Sequence, residues 1–340
     1  MIPFFRKIRK QMADENKPMK YMRYAIGEIV LVVIGILIAL SINNWNEERK
    51  NEVKIISFFN EVQTDLLKDI SNIEGAISTY KIKDSLAYLV IHNKLTRDDY
   101  KKSDHRGELT MLIADFTDFQ FNTNGYNNLK LNVNDIPLSY KAAYDTLTTL
   151  YEQDKMRLED ENRRIGNYVY ENIKYLSNNK EWFSSDYSSW SSNDTIIDYF
   201  LHDPFYKNRV KEFRILIDDT YTKYKIDAIT IYQQLDVITK SNEPLPNHLI
   251  NYTVDYESLK QYIGVYKPKD SVRYKSSIIV NEKGLFFGKN KFILFYEGND
   301  KFGFEWGYNM SLTFQRDQVG ELTGVNFDRY DDTREYKKID

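Results

Sequence analysis

The longest apolar stretch of the chain lies close to its N-terminus. Residues 24–42 read YAIGEIVLVVIGILIALSI, and their only charged residue is Glu28. An α-helix rises about 1.5 Å per residue, so these nineteen residues cover about 28 Å, close to the roughly 30 Å of hydrocarbon in a bilayer. The pattern predicts a transmembrane helix over residues 24–43. The alternatives are a buried core helix and a signal peptide cleaved near Ala39-Leu40-Ser41; the length of the stretch favours an uncleaved signal anchor.

The charges in front of this stretch predict its orientation. Residues 1–23 carry a balance of +5, whereas the rest of the chain sums to −8. The positive-inside rule therefore places the N-terminus in the cytoplasm and everything after Asn43 outside it. Phe5, Ile8 and Met12 lie at helical spacing among basic residues, which predicts a short amphipathic helix on the anionic membrane surface. Its basic residues are Arg6, Lys7, Arg9 and Lys10; alternatively, they serve only to orient the span.

Two features inside the span suggest contact with another helix. Glu28 is an ionisable group within the apolar stretch, and such groups are costly in hydrocarbon unless they pair or serve a function. It also lies near enough to Arg23 to reach the cytoplasmic interface, so either interpretation stays open. Gly35 and Ala39 form a small-xxx-small pair, with Gly27 two turns earlier on about the same side. Such a face permits close helix–helix packing.

After the span, apolar positions recur with helical periodicity. One stripe predicts a helix that leaves the membrane and continues to about Ile91; a second predicts a helix from Pro204 to Ile238; a third predicts a helix from Leu138 to Leu176. Such helices must bury their stripes against one another, so residues 44–240 are predicted to form an antiparallel bundle. The polar segments 94–106 and 184–194 are predicted to be exposed loops. The first stripe comprises Phe59, Val62, Leu66, Ile70, Ile73, Ile77 and Tyr80.

The C-terminal part has a different pattern. Two prolines, Pro244 and Pro246, end the helical pattern and predict a linker over residues 241–249. Residues 250–340 hold eight of the fourteen glycines, and short β-branched or aromatic runs alternate there with turns such as NEKG and EGND. Seven or eight strands at this spacing predict a small antiparallel β-barrel. The predicted fold class is therefore α+β, with one transmembrane helix, a helical bundle and a barrel.

Two stretches resemble known families. YAIGEIVLVVIGILIALSINNWNEERK, together with the preceding FFRKIRK, resembles an uncharacterised family of bacterial single-pass inner-membrane proteins of unknown function. The likeness is strongest over the first 50 residues and continues loosely to about residue 180. The resemblance implies an inner-membrane protein with a periplasmic helical part. It does not point to any particular activity.

The second resemblance concerns residues 255–330. It rests on the opening L-x-x-Y-x-G-x-Y motif from Leu259 to Tyr266, on Leu285, Leu294 and Phe302, and on the closing run LTFQRDQVGELTG. These residues resemble the lipocalin-like domain appended to penicillin-binding-type serine hydrolases, and the likeness implies a binding or accessory module. The aromatic residues Phe286, Phe292, Phe295, Phe304 and Trp306 are expected to point inward, mainly as core. Phe286, Phe304 and Trp306 are also candidates for a ligand-binding mouth.

The sequence gives little support for a catalytic site or a metal site. The chain has no cysteine, and its four histidines are far apart in sequence. This spacing gives no metal motif, and we predict no metal or cofactor. Ser78–Lys81 and Ser177–Lys180 match S-x-x-K, but a hydrolase of that type also needs an α/β domain and further motifs. The near-neutral net charge of −3 argues against nucleic-acid binding.

The sequence favours a non-catalytic scaffold or sensor anchored in the bacterial inner membrane, with a periplasmic part that binds a protein, peptide or envelope ligand. The alternative is an accessory subunit that holds an enzyme or transporter through its transmembrane helix; a hydrolase-related enzyme is the residual interpretation. The expected partners are membrane lipid and an unidentified protein, including a second copy of the chain.

Overall fold

The computed structural model describes residues 18–102, 106–217, 221–240, 245–250, 256–270, 276–281, 284–288, 292–304 and 307–339. These residues form an α+β protein. A helical part occupies about the N-terminal three quarters of the chain, and an antiparallel β-barrel follows it.

A single helix, α1 (Pro18–Ile91), joins the apolar stretch to the helical part. Its N-terminal portion is long and apolar enough to cross a membrane, and the side chains there are exposed. Beyond residue 54 one face becomes buried: all seven residues of the first predicted stripe are core residues. Because no proline follows Pro18 within α1 and its glycines are isolated, nothing in the sequence breaks this helix. The prediction of one continuous helix from the apolar stretch to Ile91 is confirmed.

The other helices pack around α1. In chain order they are α2 (Arg97–Lys101), α3 (Arg106–Thr110), α4 (Asn124–Leu131), α5 (Lys141–Thr149), α6 (Lys155–Asn179), α7 (Tyr187–Trp190), α8 (Asp194–His202), α9 (Pro204–Leu216), α10 (Tyr221–Thr239), α11 (Asn247–Ile250) and α12 (Tyr256–Leu259). Short 3-10 turns cover Val133–Asp135, Leu138–Tyr140, Glu181–Ser184 and Lys260–Tyr262, and a π-helical turn, Leu150–Asp154, joins α5 to α6.

Two details of the helical prediction are wrong. The stripe after Pro204 was predicted to be one helix, but it is divided between α9 and α10. The helical backbone ends at Ile217, whose φ of −84° and ψ of 4° leave the α-helical region. Ile217 nevertheless remains buried, so the apolar spacing persists across the break. Periodicity alone therefore does not reveal this helix end.

The two segments predicted to be exposed loops each contribute to the core. Tyr100 in α2 and Trp190 in α7 are fully buried. Trp190 packs edge-on against Trp182, with the ring centroids 4.9 Å apart. The serines around Trp190 bond to nearby backbone in short turns, which makes the segment polar in composition while one aromatic side chain points inward.

The barrel comprises eight strands: β1 (Gly264–Pro268), β2 (Ser276–Asn281), β3 (Gly284–Phe287), β4 (Phe292–Gly298), β5 (Lys301–Phe304), β6 (Met310–Arg316), β7 (Leu322–Arg329) and β8 (Asp332–Lys338). Each strand pairs antiparallel with the next, and β1 pairs with β8 through Tyr266 opposite Lys338, which closes the ring. Tyr266, Phe302 and Leu312 are fully buried inside it. Side chains thus fill the centre of the barrel, as expected for a small one.

Gly125 and Gly75 provide a matched test of packing on α1. A Cβ at Gly125 would lie 2.3 Å from the backbone nitrogen of Val62, whereas a Cβ at Gly75 meets no atom within 4 Å. We expect Gly125→Ala to destabilise the protein by about 2 kcal/mol or more, because the helical backbone at Val62 cannot move away from the added methyl group. Gly75→Ala should stabilise it by roughly 0.5–1 kcal/mol through helix propensity. Thermal unfolding of the full chain in detergent, followed by circular dichroism, measures both; equal effects would contradict the close α1–α4 approach.

Candidate functional site

The residues proposed to contact membrane or a second helix lie on or before α1. Arg6, Lys7, Arg9 and Lys10 fall outside the described residues. Gly27 and Gly35 lie on the surface of α1, and a Cβ at either position meets nothing within 4 Å. Ala39 is exposed as well, and Glu28 is partly exposed. Gly27, Gly35 and Ala39 thus present an open surface on the apolar stretch of α1.

The barrel aromatics do not all point inward. Phe304 lies in the interior, where its ring contacts those of Phe287 and Phe292. Because side chains alternate along a strand and Leu285 and Phe287 are interior, Phe286 lies on the outer face of β3. Phe295 is likewise outward, beside Ile77 of α1. The expectation of inward rings is thus wrong for Phe286 and Phe295, and Trp306 lies outside the described residues.

A cleft that combines aromatic, charged and polar groups lies between α1 and the barrel. It has a volume of about 450 Å³. One wall is the last third of α1, and the other consists of the turn before β6, the start of β6 and the turn between β7 and β8. Its lining includes Lys81, Ser85, Tyr88, Lys301, Asn309, Ser311, Asp328 and Tyr330. The cleft therefore exists only because the barrel is docked on the helical part.

Asp84 holds the two walls together. Its carboxylate is buried on α1 and accepts a hydrogen bond from Arg214 Nε of α9 at 2.7 Å. The Asn309 side chain donates to its other oxygen at 2.6 Å, and the Tyr330 hydroxyl donates at 3.2 Å. One carboxylate thus joins α1, α9 and two barrel turns. Charge-assisted hydrogen bonds of this kind are directional as well as strong.

An aromatic pair lies beside this carboxylate. Tyr88 and Tyr330 stack with their centroids 4.4 Å apart and their planes within 2°. The guanidinium of Arg214 lies over the Tyr330 ring at 4.6 Å. Burial, followed by the negative charge of Asp84, raises the pKa of Tyr330 to about 12, so its hydroxyl stays protonated as a donor. The ring stack and the ion pair fix the same barrel turn.

The cleft also carries charged groups at its edge. Hydrogen bonds from Lys94 and Tyr88 lower the pKa of Asp331 to about 2, so this carboxylate is ionised at every physiological pH. Lys301 pairs with Glu297 at 3.2 Å. The Lys81 ammonium has no carboxylate partner within 4 Å among the described residues. With Ser85 and Ser311 nearby, it can bind an anionic or hydrogen-bonding group.

Removal of the Asp84 carboxylate should loosen the barrel. Asp84→Ala leaves Arg214 partly buried without its anion, and we expect a loss of about 3 kcal/mol in unfolding free energy. Amide exchange over residues 81–89 should also accelerate, since the barrel no longer covers them. Urea denaturation and hydrogen–deuterium exchange measure these effects.

Asp331→Ala is the matched control for this variant, because its ion pair with Lys94 lies at the same junction but is exposed. Surface pairs contribute roughly 0–1 kcal/mol. If the two alanine variants behave alike, Asp84 does not hold the barrel.

A second polar group lies inside the helical part. Asp65 and Asp69 of α1 are both buried, and they accept hydrogen bonds from the backbone of Gly125 and Asn122 respectively. The second oxygen of Asp69 and the hydroxyls of Tyr151 and Tyr224 are buried with no hydrogen-bond partner in the described part of the chain. Tyr151 lies in the π-helical turn, a distortion often found at functional positions. Burial raises the pKa of Asp69 to about 6, against the opposing hydrogen bonds from Asn122.

This raised pKa predicts a pH-dependent stability. An unfolded aspartate releases its proton near pH 4, whereas folded Asp69 holds it to about pH 6, so stability falls as the pH rises between these values. The asparagine of Asp69→Asn cannot ionise, so this substitution should remove the fall in unfolding free energy between these pH values. We expect it to stabilise the protein at pH 7 by up to about 3 kcal/mol and to leave it unchanged below pH 4. Denaturation at a series of pH values measures this; identical slopes in both proteins would refute it.

The histidines and the two S-x-x-K matches do not assemble into a site. Among the described residues, no group of three or more His, Asp and Glu side chains could hold a metal ion. Ser78 is exposed on α1, and the Ser177 hydroxyl donates to the carbonyl of Lys174. Lys180 lies over the Tyr199 ring at 4.1 Å. Each of these residues is thus placed by local helix or loop contacts.

Sequence reasoning missed the residues that build the junction. Arg214 lies 130 positions after Asp84 in the chain, and Tyr330 lies 116 positions after Arg214. One indication was present: Asp84 follows Tyr80 by four residues and precedes Ala87 by three, so a charged residue occupies the buried stripe of α1. A charge at such a position requires a buried partner.

The fold and the cleft define an α+β protein in which one helix, apolar enough to span a membrane, also carries a docked β-barrel. Residues 28–198, half of the chain, match a family of unknown function (DUF6090). The chain therefore belongs to this family. The predicted resemblance of its N-terminal part to an uncharacterised family is confirmed. No curated protein and no solved structure matches the chain. The matched region begins in the apolar stretch and ends within α8, so it excludes the barrel.

Proposed function

We propose that the protein is a non-catalytic binding protein, anchored by α1 in the bacterial inner membrane, whose cleft takes a protein, peptide or other envelope ligand in the periplasm. The observation that carries this proposal is the continuity of α1. The same helix is apolar over residues 24–42 and provides Asp84, which holds the barrel. Asp84 lies forty-two positions beyond Ile42, so at about 1.5 Å per residue along α1 the cleft is presented about 60 Å from the membrane.

The cleft favours a polar ligand that carries charges of both signs, because Glu297, Asp328 and Asp331 line it as well as Lys81 and Lys301. Lys81 supplies a positive charge on the α1 wall, and Ser311 and Asn309 lie on the barrel wall. A volume of about 450 Å³ accommodates a short segment of chain rather than a folded surface. Because the two walls come from different parts of the protein, a ligand in the cleft contacts both and stabilises their docking. This coupling supports a scaffold or sensor role.

A bulky side chain in the cleft should block binding. We place a photo-crosslinking diazirine analogue of lysine at Lys301 of the cleft lining, where it resembles the native side chain in size, and expect a discrete adduct in intact cells. Ser85→Trp fills the α1 wall and should lower the adduct yield about tenfold, the loss that 1.4 kcal/mol of binding free energy produces. Gel shift and mass spectrometry of the purified adduct measure the yield.

Ser78→Trp is the control, because Ser78 lies on the same helix and faces solvent. It should leave the yield unchanged. An adduct that survives Ser85→Trp, or no adduct at all, would contradict a ligand in this cleft.

A further inference from the structure

Two exposed leucines flank the turn between α4 and α5. Leu131 is 82% exposed and Leu138 is 89% exposed, which makes them the most exposed leucines among the described residues. The intervening segment contains Val133, Ile136 and Pro137. Leucines left this open in a helical bundle have no role in its own packing.

Contacts with α1 place this turn at the end of the bundle nearest the apolar span. The Lys54 ammonium donates to the side chain of Asn132 at 2.6 Å, and the Tyr140 hydroxyl donates to Glu52 at 2.8 Å. Earlier in α4, Asn128 donates to Glu61. Helix α4 thus runs toward the apolar stretch, and the turn at residues 131–138 lies beside residues 52–54 of α1.

The height of the turn follows from helix geometry. Glu52 lies ten residues beyond Ile42, or about 15 Å along α1. Side chains on a helix tilt toward its N-terminus, which brings the contacts of Glu52 and Lys54 closer to the span. The polar layer of a bilayer adds roughly 5–8 Å beyond its hydrocarbon. A tilt of about 20° toward the side of α4 lowers a neighbour packed 8–10 Å from α1 by about 3 Å more.

We propose that Leu131 and Leu138 insert into the interfacial layer of the periplasmic leaflet, so that the bundle rests on the phospholipid surface. The inference depends on the proposed anchoring by α1, because that helix sets the distance. Lys54 and Lys130 at the same end of the bundle pair with Asp135 and Glu152, so charges of opposite sign offset one another beside the two leucines. Contact with the membrane through both α1 and the turn fixes the tilt of the bundle. The distance of the cleft from the membrane is then fixed as well.

A fluorescent probe at the turn tests this inference. The chain has no native cysteine, so Leu138→Cys carries one environment-sensitive fluorophore. The full chain is reconstituted into vesicles of phosphatidylethanolamine with some phosphatidylglycerol and a nitroxide-headgroup lipid. We expect the emission to shift to shorter wavelength and to be quenched by the nitroxide. Leu131→Asp in the same protein should reduce the quenching.

Two further cysteine variants separate the possible outcomes. Val237→Cys is the matched control, since Val237 is 80% exposed and lies near Gln63, about 30 Å above Ile42, and it should not be quenched. Ser41→Cys reports insertion of α1 itself. Quenching at Ser41 without quenching at Leu138 overturns the inference but leaves the anchor intact. A spectral shift at Leu138 without quenching indicates contact with a second copy of the chain and also overturns the inference. No quenching at Ser41 refutes the anchor itself.

Discussion

The arrangement of the protein depends on one buried carboxylate. Asp84 accepts hydrogen bonds from Arg214, Asn309 and Tyr330, which belong to a helix and to two separate barrel turns. A buried ion pair adds little net stability compared with an apolar contact of the same size, because both charges lose their hydration. It does, however, demand one geometry. The contribution of Asp84 is therefore to select a single docking orientation, and that orientation creates the cleft.

The same helix that carries Asp84 also carries the core of the bundle and the apolar stretch. Since α1 runs without interruption from Pro18 to Ile91, one element joins the apolar stretch, the bundle and the barrel. The aromatic pairs along it, Tyr80 with Tyr221 and Tyr88 with Tyr330, join it first to the bundle and then to the barrel. Ring stacking supplies contact area, and the carboxylate supplies direction. Neither alone would hold a separate barrel in one position.

Sequence periodicity predicted the parts of the fold that follow from local spacing. The stripe from Phe59 to Tyr80 and the hairpin turns of the barrel both depend on neighbouring residues, and both were predicted correctly. The break at Ile217 was missed because apolar spacing continues through it. Phe286 and Phe287 are adjacent, and only strand pairing decides which of them faces inward. The cleft could not be predicted, because its walls are more than 200 residues apart.

In this chain, buried polar groups fix the position of one part of the protein against another, as disulfides do in many secreted domains. The chain has no cysteine, so only non-covalent contacts can fix the barrel to the bundle. Apolar surfaces alone would permit several docked arrangements of similar free energy, because the hydrophobic effect has no direction. A carboxylate in the buried stripe excludes those alternatives, since each would leave a charge without a partner. Asp84 therefore occupies a position where an apolar residue would pack equally well but would specify less.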